Sequence, residues 1–345
     1  MRKLTRSQFA QVAAPVATAL TLAPSGLLRA AGTEDVKLAL NWLVSGRNSP
    51  FFVGVDKGYY AAEGLNVSIS RGNGSGDTVK RIAVGESLFG LADTATVIAA
   101  QANDSAPVTI VGMINGKSSV AIVYSEQSGI RKPQDLVGKT LGRSAAGASV
   151  NMYPGFLAVN HIDRNSIKEV VAPGSAFEPL LFSKKVDAVL DQSSYLGRYR
   201  KDSAAQNIGI TLKAFRFADY GFDLYGDSII VNNDALKSKP DIIRRFMTAT
   251  IKAALWSYEH PADAIAILRK TNPEVEADIG EAELQDAKEL SITPETAAHG
   301  YGYVDSKHME HVRDVVTEAL KLKRKIPVGE IFTDADLPVI KTANL

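Results

Sequence analysis

Residues 36–69 predict a strand, a short helix and a second strand in close succession. Apolar and polar residues alternate at both ends of this stretch, which is the pattern of half-buried strands. Between them, Ser49 and Pro50 are residue types that begin a helix, and Gly58 is the type that ends one. Such a βαβ unit delivers its first loop, here residues 42–49, to the carboxyl edge of a sheet. Open α/β proteins bind ligands at that edge, so the unit predicts both a fold class and the place of a site.

Further strands and helices alternate along the chain and then give way to helices. Strands are predicted over residues 89–95 and 108–114, and the pattern restarts with strands over 119–125 and 140–144. Residues 227–232 predict a strand that returns to the first set of strands. Alternating strands and helices imply parallel sheets with right-handed crossovers. We therefore predict an α/β protein with two βαβ domains and a helical C-terminal part.

A glycine-rich loop over residues 71–77 leads from the second strand into a helix. Such a loop can present backbone N–H groups to an anion or a carbonyl. It is not a dinucleotide-binding fingerprint, because Asp77 stands where a third glycine belongs, and it lacks the lysine of a P-loop. Two interpretations of the loop remain open: a set of N–H donors that faces a ligand, and a plain tight turn.

The first 32 residues have the features of an export signal. They contain four basic residues and no acidic one, an apolar stretch over residues 9–28, and small residues over 30–32. Ser7 stands where a twin-arginine signal has its second arginine, so the export route stays open. The alternative is an amphipathic tail of a cytosolic protein. We predict a cleaved signal over residues 1–32 and a periplasmic protein.

Charge and cysteine content exclude several classes of function. Of the 39 basic residues, 35 follow residue 32, and all 38 acidic residues do. The exported chain would therefore carry a charge of −3. That charge gives no electrostatic basis for binding nucleic acid. The chain has no cysteine, which excludes disulfides, thiolate nucleophiles and cysteine-ligated metals. It also excludes the lipid anchor of a bacterial lipoprotein.

Several motifs resemble those of one family, the periplasmic substrate-binding proteins of ABC transporters. The resemblance is to the group related to thiamine-pyrimidine-precursor-binding and alkanesulfonate-, taurine- and nitrate-binding proteins. It covers the order of elements from about residue 35 to 340. The matching motifs are Asn41-Trp42, residues 50–53, 57–65, Gly85-Glu86 with Phe89-Gly90, 133–139 and 186–190.

The resemblance implies a periplasmic-binding-protein type II-like fold with two βαβ lobes joined by a two-strand hinge. Lobe one would comprise residues 33–117 and 227–345, with the helical C-terminal part packed on it, and lobe two residues 118–226. The hinge is expected near residues 115–119 and 224–228. The resemblance further implies a monomer that traps a small molecule by domain closure and delivers it to membrane permease and ATPase subunits. It implies no catalytic residue, cofactor or metal.

Residues at the ends of strands are the expected ligand contacts. Trp42 would stack on a planar ligand, Asn41, Asp93 and Asp191 would bind its polar edge, and Arg143 would meet an anionic group. Each has a structural alternative: a core position for Trp42, helix caps for the aspartates, and a surface charge for Arg143. The full predicted set is Asn41, Trp42, Arg47, Asn48, Ser75, Gly76, Asp93 and Thr94 in lobe one, and Arg143, Ser149, Asn151, Asp191, Gln192, Tyr195 and Tyr225 in lobe two.

The sequence leaves the ligand open between two classes. Aromatic residues near the expected cleft favour a heteroaromatic nutrient such as a pyrimidine precursor of thiamine. Arg47, Arg143 and the glycine-rich loop would equally suit an organic sulfonate, taurine or nitrate. A fold of this kind does not decide between them.

Three other classes of function fit less well. A pyrimidine synthase of the same fold group carries a cysteine-rich motif, which this chain lacks. A metal-dependent hydrolase could use His308 and His311, but no third ligand has a matching spacing. The sensor domain of a transcription regulator would need a DNA-binding helix pair, which residues 1–32 do not form.

Overall fold

The structure is a computed structural model that describes residues 33–145 and 148–340. The predicted export signal, residues 1–32, lies outside these residues. The strands that they form are β1 (Glu34–Ala39), β2 (Leu65–Ser70), β3 (Phe89–Asp93), β4 (Val108–Met113), β5 (Val120–Ser125), β6 (Thr140–Arg143), β7 (Lys168–Val171), β8 (Ala188–Gln192), β9 (Leu212–Arg216) and β10 (Asp227–Asn232).

The helices surround the strands, and most of those after β10 follow one another directly. They are α1 (Ser49–Asp56), α2 (Tyr59–Ala62), α3 (Ser75–Ala83), α4 (Thr94–Asp104), α5 (Ala148–Val159), α6 (Phe177–Phe182), α7 (Leu196–Ala205), α8 (Asn233–Ser238), α9 (Pro240–Glu259), α10 (Pro261–Arg269), α11 (Ala277–Ser291), α12 (Pro294–His299), α13 (Ser306–Ala319) and α14 (Val328–Ile331). Within the described residues, no helix combines the length and apolar character needed to cross a membrane.

Two five-stranded sheets form the centres of the two lobes and confirm the predicted α/β fold. The first has the order β2-β1-β3-β10-β4, and the second has the order β7-β6-β8-β5-β9. Each is mixed rather than wholly parallel, because β10 runs antiparallel to β3 and β4, and β5 runs antiparallel to β8 and β9. The antiparallel strand is in each case the one that enters directly from the other lobe. The prediction of purely parallel sheets missed this reversal.

Continuous apolar segments place the central strands inside each lobe. Every residue of β4 and β5 is buried, as expected for strands covered on both faces. In lobe one, Phe89 of β3 stacks on Phe246 of α9 with ring centroids 3.8 Å apart. In lobe two, Phe156 of α5 stacks on Phe217 after β9 at 3.7 Å. Each buried phenylalanine contributes about 1.5–3 kcal/mol to stability.

Two chain segments connect the lobes and run beside each other. The N–H group of Gly226 donates to the carbonyl of Asn115 at 2.9 Å, and the N–H group of Ser118 donates to that of Leu224 at 2.7 Å. These segments overlap the predicted hinge at residues 115–119 and 224–228. Their location leaves β1 to β4 and β10 in lobe one, and β5 to β9 in lobe two. The exact lobe boundaries and the hinge motion stay predictions.

The C-terminal helices pack on lobe one but also reach lobe two. Helix α9 lies along α1, while α13 contacts both α4 in lobe one and α5 in lobe two. At the second contact, a Cβ atom on Gly155 would lie 2.7 Å from the Cβ of Ala319, so the glycine permits the close approach. Helix α11 contacts α7 and the turn at residues 193–195. The predicted packing on lobe one is therefore accompanied by contacts with lobe two.

Candidate functional site

The loop after β1 carries a hydrogen-bonded polar group at the carboxyl edge of the first sheet. The side-chain amide of Asn41 donates to Asp227 Oδ1 at 2.8 Å. Arg47 Nη1 lies 3.4 Å from Asp227 Oδ2, and Arg47 Nη2 lies 3.4 Å from Asn41 Oδ1. Asn41 is 6% exposed and Asp227 8% exposed. The three side chains therefore hold one another in place, and the arginine charge is already paired.

Asp93 lies beside this group at the end of β3. Its carboxylate caps α4 by accepting a hydrogen bond from the N–H group of Thr96 at 3.1 Å. Asp93 is also the register partner of Asp227 across β3 and β10. Burial, and then the charge of Asp227, raise the pKa of Asp93 to about 7. The edge of the first sheet thus holds two carboxylates whose charges repel each other.

Three more residues predicted for the site form hydrogen bonds at or near this edge: Ser75, Thr94 and Asn48. Ser75 Oγ accepts a hydrogen bond from the N–H group of Asp93 at 3.0 Å. The hydroxyl of Thr94 is fully buried and donates to the carbonyl of Gly226 at 2.7 Å, which ties β3 to the returning segment. Asn48 is 2% exposed, and its side chain accepts from the N–H group of Ser45 at 3.1 Å.

Lobe two contributes an aromatic side chain and a further carboxylate to the opposite face. Burial raises the pKa of Tyr195, while the nearby Arg47 charge and Trp42 side chain lower it in part, so Trp42 of lobe one lies close to Tyr195 of lobe two. Arg47 and Asp191 both lie close enough to Tyr195 to act on it electrostatically. Asp191 accepts a hydrogen bond of 2.5 Å from the hydroxyl of Tyr199, and burial raises the pKa of Asp191 to about 6. Gln192 follows Asp191 and is partly buried.

Helix α11 forms a third wall, which the sequence analysis did not assign to the cleft. Glu283 Oε2 accepts a hydrogen bond of 2.7 Å from the N–H group of Gly46. Asp286 Oδ1 pairs with Arg216 Nη2 of β9 at 2.6 Å, and Asp286 Oδ2 accepts from the hydroxyl of Ser193 at 3.1 Å. One face of this helix therefore binds the loop of lobe one and the strand ends of lobe two.

Two hollows lie beside Arg47 and α11, and they share Arg47, Asn115 and Ala287. The first contains about 370 Å³ of space between atoms and the second about 200 Å³, in both cases including the part open to solvent. The first extends into lobe one, toward Asp227, Tyr258 and Tyr301. The second lies between the connecting segments and α11.

Other predicted site residues lie outside this cluster. The guanidinium of Arg143 pairs with Glu169 at 2.5 Å, so the charge expected for an anionic ligand has a partner in lobe two. Tyr225 is 1% exposed, and its hydroxyl donates to Glu295 at 3.1 Å behind the connecting segments. Gly76 is exposed in the first turn of α3. In the first turn of α5, Ser149 is partly buried and Asn151 is exposed.

His308 contributes to structure at the same location as Tyr225. Its Nδ1 atom lies 3.0 Å from Glu295 Oε1, and its ring lies 4.2 Å from that of Tyr225. Among the residues that the structure describes, no three metal-ligating side chains form a group that could hold a metal ion.

Several residues of the cleft were not found from the sequence. Asp227, Asn115, Ser119, Ser194, Arg216, Glu283 and Asp286 all face the cleft or its hollows. Asp227 begins a predicted strand and could have been found by applying the strand-edge rule to β10. The residues of α11 could not, because no sequence pattern indicates which helix face meets another lobe.

Carboxyl groups outnumber arginines in this region. Asp227 and Asp286 pair with Arg47 and Arg216, and Asp93, Asp191 and Glu283 are three further carboxyl groups whose pKa is raised by burial. The arrangement can stack on a planar ring and accept hydrogen bonds from N–H and O–H groups. An anion here would meet arginines that already have carboxylate partners.

Relatives by sequence include both binding proteins and enzymes. A formylaminopyrimidine-binding protein of Halalkalibacterium halodurans is 24% identical over 75% of this chain and 76% of its own length. The riboflavin-binding protein RibY of Chloroflexus aurantiacus is 23% identical over 88% of this chain and 86% of its own length. A 4-amino-5-hydroxymethyl-2-methylpyrimidine phosphate synthase of Legionella pneumophila is 23% identical over 70% of this chain and 74% of its own length.

Similar solved structures have the same two-lobed fold. The aliphatic sulphonate-binding protein SsuA of Escherichia coli superposes with a TM-score of 0.64 at 16% identity, over 86% of this chain and 96% of that one. The nitrate-binding protein NrtA of Synechocystis gives a TM-score of 0.60 at 13% identity, over 88% of this chain and 87% of that one. The fold is therefore that of the periplasmic binding proteins. The family model described as NMT1/THI5 like matches residues 47–264, and the chain belongs to the NMT1/THI5-like family.

Proposed function

We propose that this protein is the solute-binding component of an ABC importer and that it captures a small nitrogen heterocycle between its lobes. The leading candidate is a pyrimidine precursor of thiamine or a similar heteroaromatic nutrient. The protein would work in the periplasm, close over its ligand and deliver it to permease and ATPase subunits.

The observation that carries this proposal is the combination of Trp42 and Tyr195 with an acidic cleft. A heteroaromatic ring can stack on the exposed indole, and its ring N–H and amino groups can donate to the carboxylates. Asp93 and Asp191 can each do this in the charged form, or carry a proton that bonds to a ring nitrogen. The raised pKa values of about 7 and about 6 place both forms within reach near neutral pH.

Relatives that are named for binding support the same role. Two of them are named for a formylaminopyrimidine and for riboflavin, which are both nitrogen heterocycles. The synthases among the relatives leave an enzymatic role as an alternative. We propose a binding protein rather than an enzyme, since the cleft residues are arranged to accept hydrogen bonds and the chain lacks the cysteine-rich motif implied for the synthases.

The alternative ligand class is an organic sulfonate, taurine or nitrate. Similar folds in SsuA and NrtA keep this class under consideration. The arginines on which it depended are engaged, because Arg47 pairs with Asp227 and Arg143 pairs with Glu169. A sulfonate would have to displace one of these partners, which makes this class the weaker candidate.

A thermal-shift panel on the purified protein tests the proposal. Binding to the folded state raises the melting temperature by mass action, so ligands can be compared without labels. We expect aminopyrimidines or a flavin to raise it and taurine, an alkanesulfonate and nitrate to leave it unchanged. A shift with the anions alone would contradict the proposed ligand class.

A further inference from the structure

A histidine with two carboxylate neighbours lies against the connecting segment that precedes β10. His308 Nδ1 lies 3.0 Å from Glu295 Oε1 of α12, and His308 Nε2 lies 3.5 Å from Asp223 Oδ2 of that segment. Among the residues that the structure describes, neither His308 Nε2 nor Asp223 Oδ1 makes a hydrogen bond, although both atoms are buried. Buried polar atoms are normally paired, so the contact between these two side chains is incomplete.

The missing component is a proton rather than a metal ion. The Glu295 carboxylate is an acceptor, so Nδ1 of His308 carries the hydrogen that lies between them. In a neutral imidazole Nε2 is then a bare acceptor, and it faces a second acceptor, the Asp223 carboxylate. Protonation of Nε2 turns it into a donor and gives both carboxylates a positively charged partner. Because the carboxylates face opposite ring nitrogens, the three side chains offer no common position for a metal ion.

The other groups that face this imidazole are acidic or aromatic. Asp305 caps α13 and accepts a hydrogen bond from the N–H group of His308 at 2.8 Å, and the Tyr225 ring lies 4.2 Å from the imidazole ring. The helices of the two lobes that pack on α13 are α4 and α5, whose only ionisable side chains are Asp104 and Tyr153. Exposed ionisable residues on α12 and α13 near His308 are His299, Lys307, Glu310 and His311. Histidine is the side chain whose charge ordinarily changes between pH 5 and 8.

The same group anchors one strand of the hinge. The hydroxyl of Tyr225 donates to Glu295 and accepts a hydrogen bond from the N–H group of Asp305. On either side of Tyr225, Leu224 and Gly226 bond through backbone groups to the other connecting segment. Helix α13 itself contacts α4 in lobe one and α5 in lobe two. A contact at the start of α13 therefore acts on the point where the chain passes between the lobes.

We propose that His308 is a proton-sensitive clamp on the hinge, which favours the compact arrangement of the lobes when the imidazole is protonated. The protonated ring bridges Asp223 and Glu295 and holds the connecting segment against α12 and α13. When the ring is neutral the bond to Asp223 is lost, and the segment can take the other backbone angles that lobe opening requires. A proton that binds more tightly to the compact arrangement shifts the lobes toward it as the pH falls, and this effect is lost as the pH rises. The clamp rests on the proposed function only for the lobe motion and not for the ligand class.

Single-molecule FRET on the ligand-free protein tests the clamp. The chain has no cysteine, so Arg71→Cys and Val171→Cys provide one dye site per lobe, at exposed positions after β2 and at the end of β7. The measured quantity is the ratio of molecules with closely spaced lobes to molecules with widely spaced lobes. We expect His308→Gln to lower this ratio by about threefold at pH 5.5 and to leave it nearly unchanged at pH 8.

The comparison of variants at each pH isolates His308 from other titrating groups. The raised pKa values of Asp93 and Asp191 fall in the same pH range, but both residues are present in every protein compared. Asp223→Asn should reproduce the effect of His308→Gln, and because the Asp223 side chain is 46% exposed this variant should fold even where the histidine variant does not. The double variant should lower the ratio no further than either single change.

His311→Gln is the matched control, because this exposed histidine lies one turn further along α13. It should match the wild type at both pH values. A loss in His308→Gln that is equal at pH 5.5 and pH 8, or an Asp223→Asn variant that behaves like the wild type, would overturn the clamp. A single lobe separation that neither pH nor these variants change would overturn it as well. The titrations with ligands judge the proposed function independently of these outcomes.

Discussion

Trp42 is 46% exposed at the mouth of the cleft, although its side chain is large and mostly apolar. Its position after β1 and close to Tyr195 makes the exposed ring available to stack on a planar ligand.

Trp42→Ala should therefore separate binding from stability. Loss of one stacking partner costs about 1–3 kcal/mol, so the affinity for the heterocycle should fall by about tenfold or more. The melting temperature should change by less than about 3 °C. Trp256→Ala is the matched control, because the other tryptophan contacts His260 and Lys57, lines neither hollow, and should leave affinity unchanged. Equal loss of affinity in both variants would contradict the role of Trp42.

Asp93 should make the stability of the ligand-free protein depend on pH. Its folded-state pKa of about 7 lies above the value near 4 of an unfolded aspartate, so the folded state binds the proton more tightly. The resulting stability is fully present below about pH 4 and is lost as the pH rises through about 7. Asp93→Asn keeps a helix-capping side chain and removes the charge.

Thermal unfolding at pH 5 and pH 8 measures this effect. The Asp93→Asn variant should gain stability relative to wild type at pH 8, with a melting temperature higher by about 2–4 °C. The gain should shrink at pH 5. A difference between the two proteins that is the same at both pH values would exclude Asp93 as the source.

Arg143 and Tyr225 were predicted as site residues but lie outside the cleft for a geometric reason. Arg143 and Glu169 are 26 positions apart and meet because β6 and β7 pair in a register that places Glu169 opposite Leu141, two residues before Arg143. The sequence shows that a strand ends at Arg143, but it does not show the register that supplies a partner. Tyr225 likewise ends in the interior, because its segment turns toward α12 and α13 before β10 begins.

At the scale of elements, helix α11 determines how the cleft is built. The sequence predicts a helical C-terminal part, but the place of α11 (Ala277–Ser291) between the lobes depends on contacts far apart in the chain. Gly46 and Gly280 permit its closest approach to the loop after β1. A Cβ atom on Gly46 would lie 2.0 Å from the carbonyl oxygen of Gly280.

Gly46→Ala should consequently push α11 away from the cleft loop. We expect a loss of about 1–3 kcal/mol in the free energy of unfolding, since backbone atoms rather than a flexible side chain occupy the space. Gly174→Ala is the control, because a Cβ there meets no atom within 4 Å. Urea denaturation compares the two, and a Gly46 variant as stable as the control would contradict the observed packing.

The ion pair between Arg216 and Asp286 joins β9 of lobe two to α11 and should favour closure. Both side chains are partly buried, with 22% and 14% exposed, so solvent screens the pair only in part. Arg216→Ala should lower ligand affinity about tenfold by weakening the closed state. Lys213→Ala is the control on the same strand, because its pair with Glu126 lies within lobe two. Calorimetry measures both, and equal affinities would exclude this contact from closure.

At the scale of the whole molecule, repeated βαβ units predict two lobes, and the structure contains two sheets of matching order. Local patterns carry that information because strand periodicity and helix caps are determined by neighbouring residues. The insertion of β10 between β3 and β4 is determined instead by the path of a chain that leaves lobe one and returns. This insertion brings Asp227 beside Asp93, and the proposed choice between ligand classes rests on these carboxyl groups.

Direct titration of the wild-type protein tests that central claim. In separate calorimetric experiments at neutral pH, 4-amino-5-hydroxymethyl-2-methylpyrimidine, riboflavin and taurine are each titrated into the protein. We predict saturable binding of one molecule of a heterocycle per protein and no heat of binding from taurine. Saturable binding of taurine, with no binding of either heterocycle, would contradict the assignment of the acidic cleft to a nitrogen heterocycle.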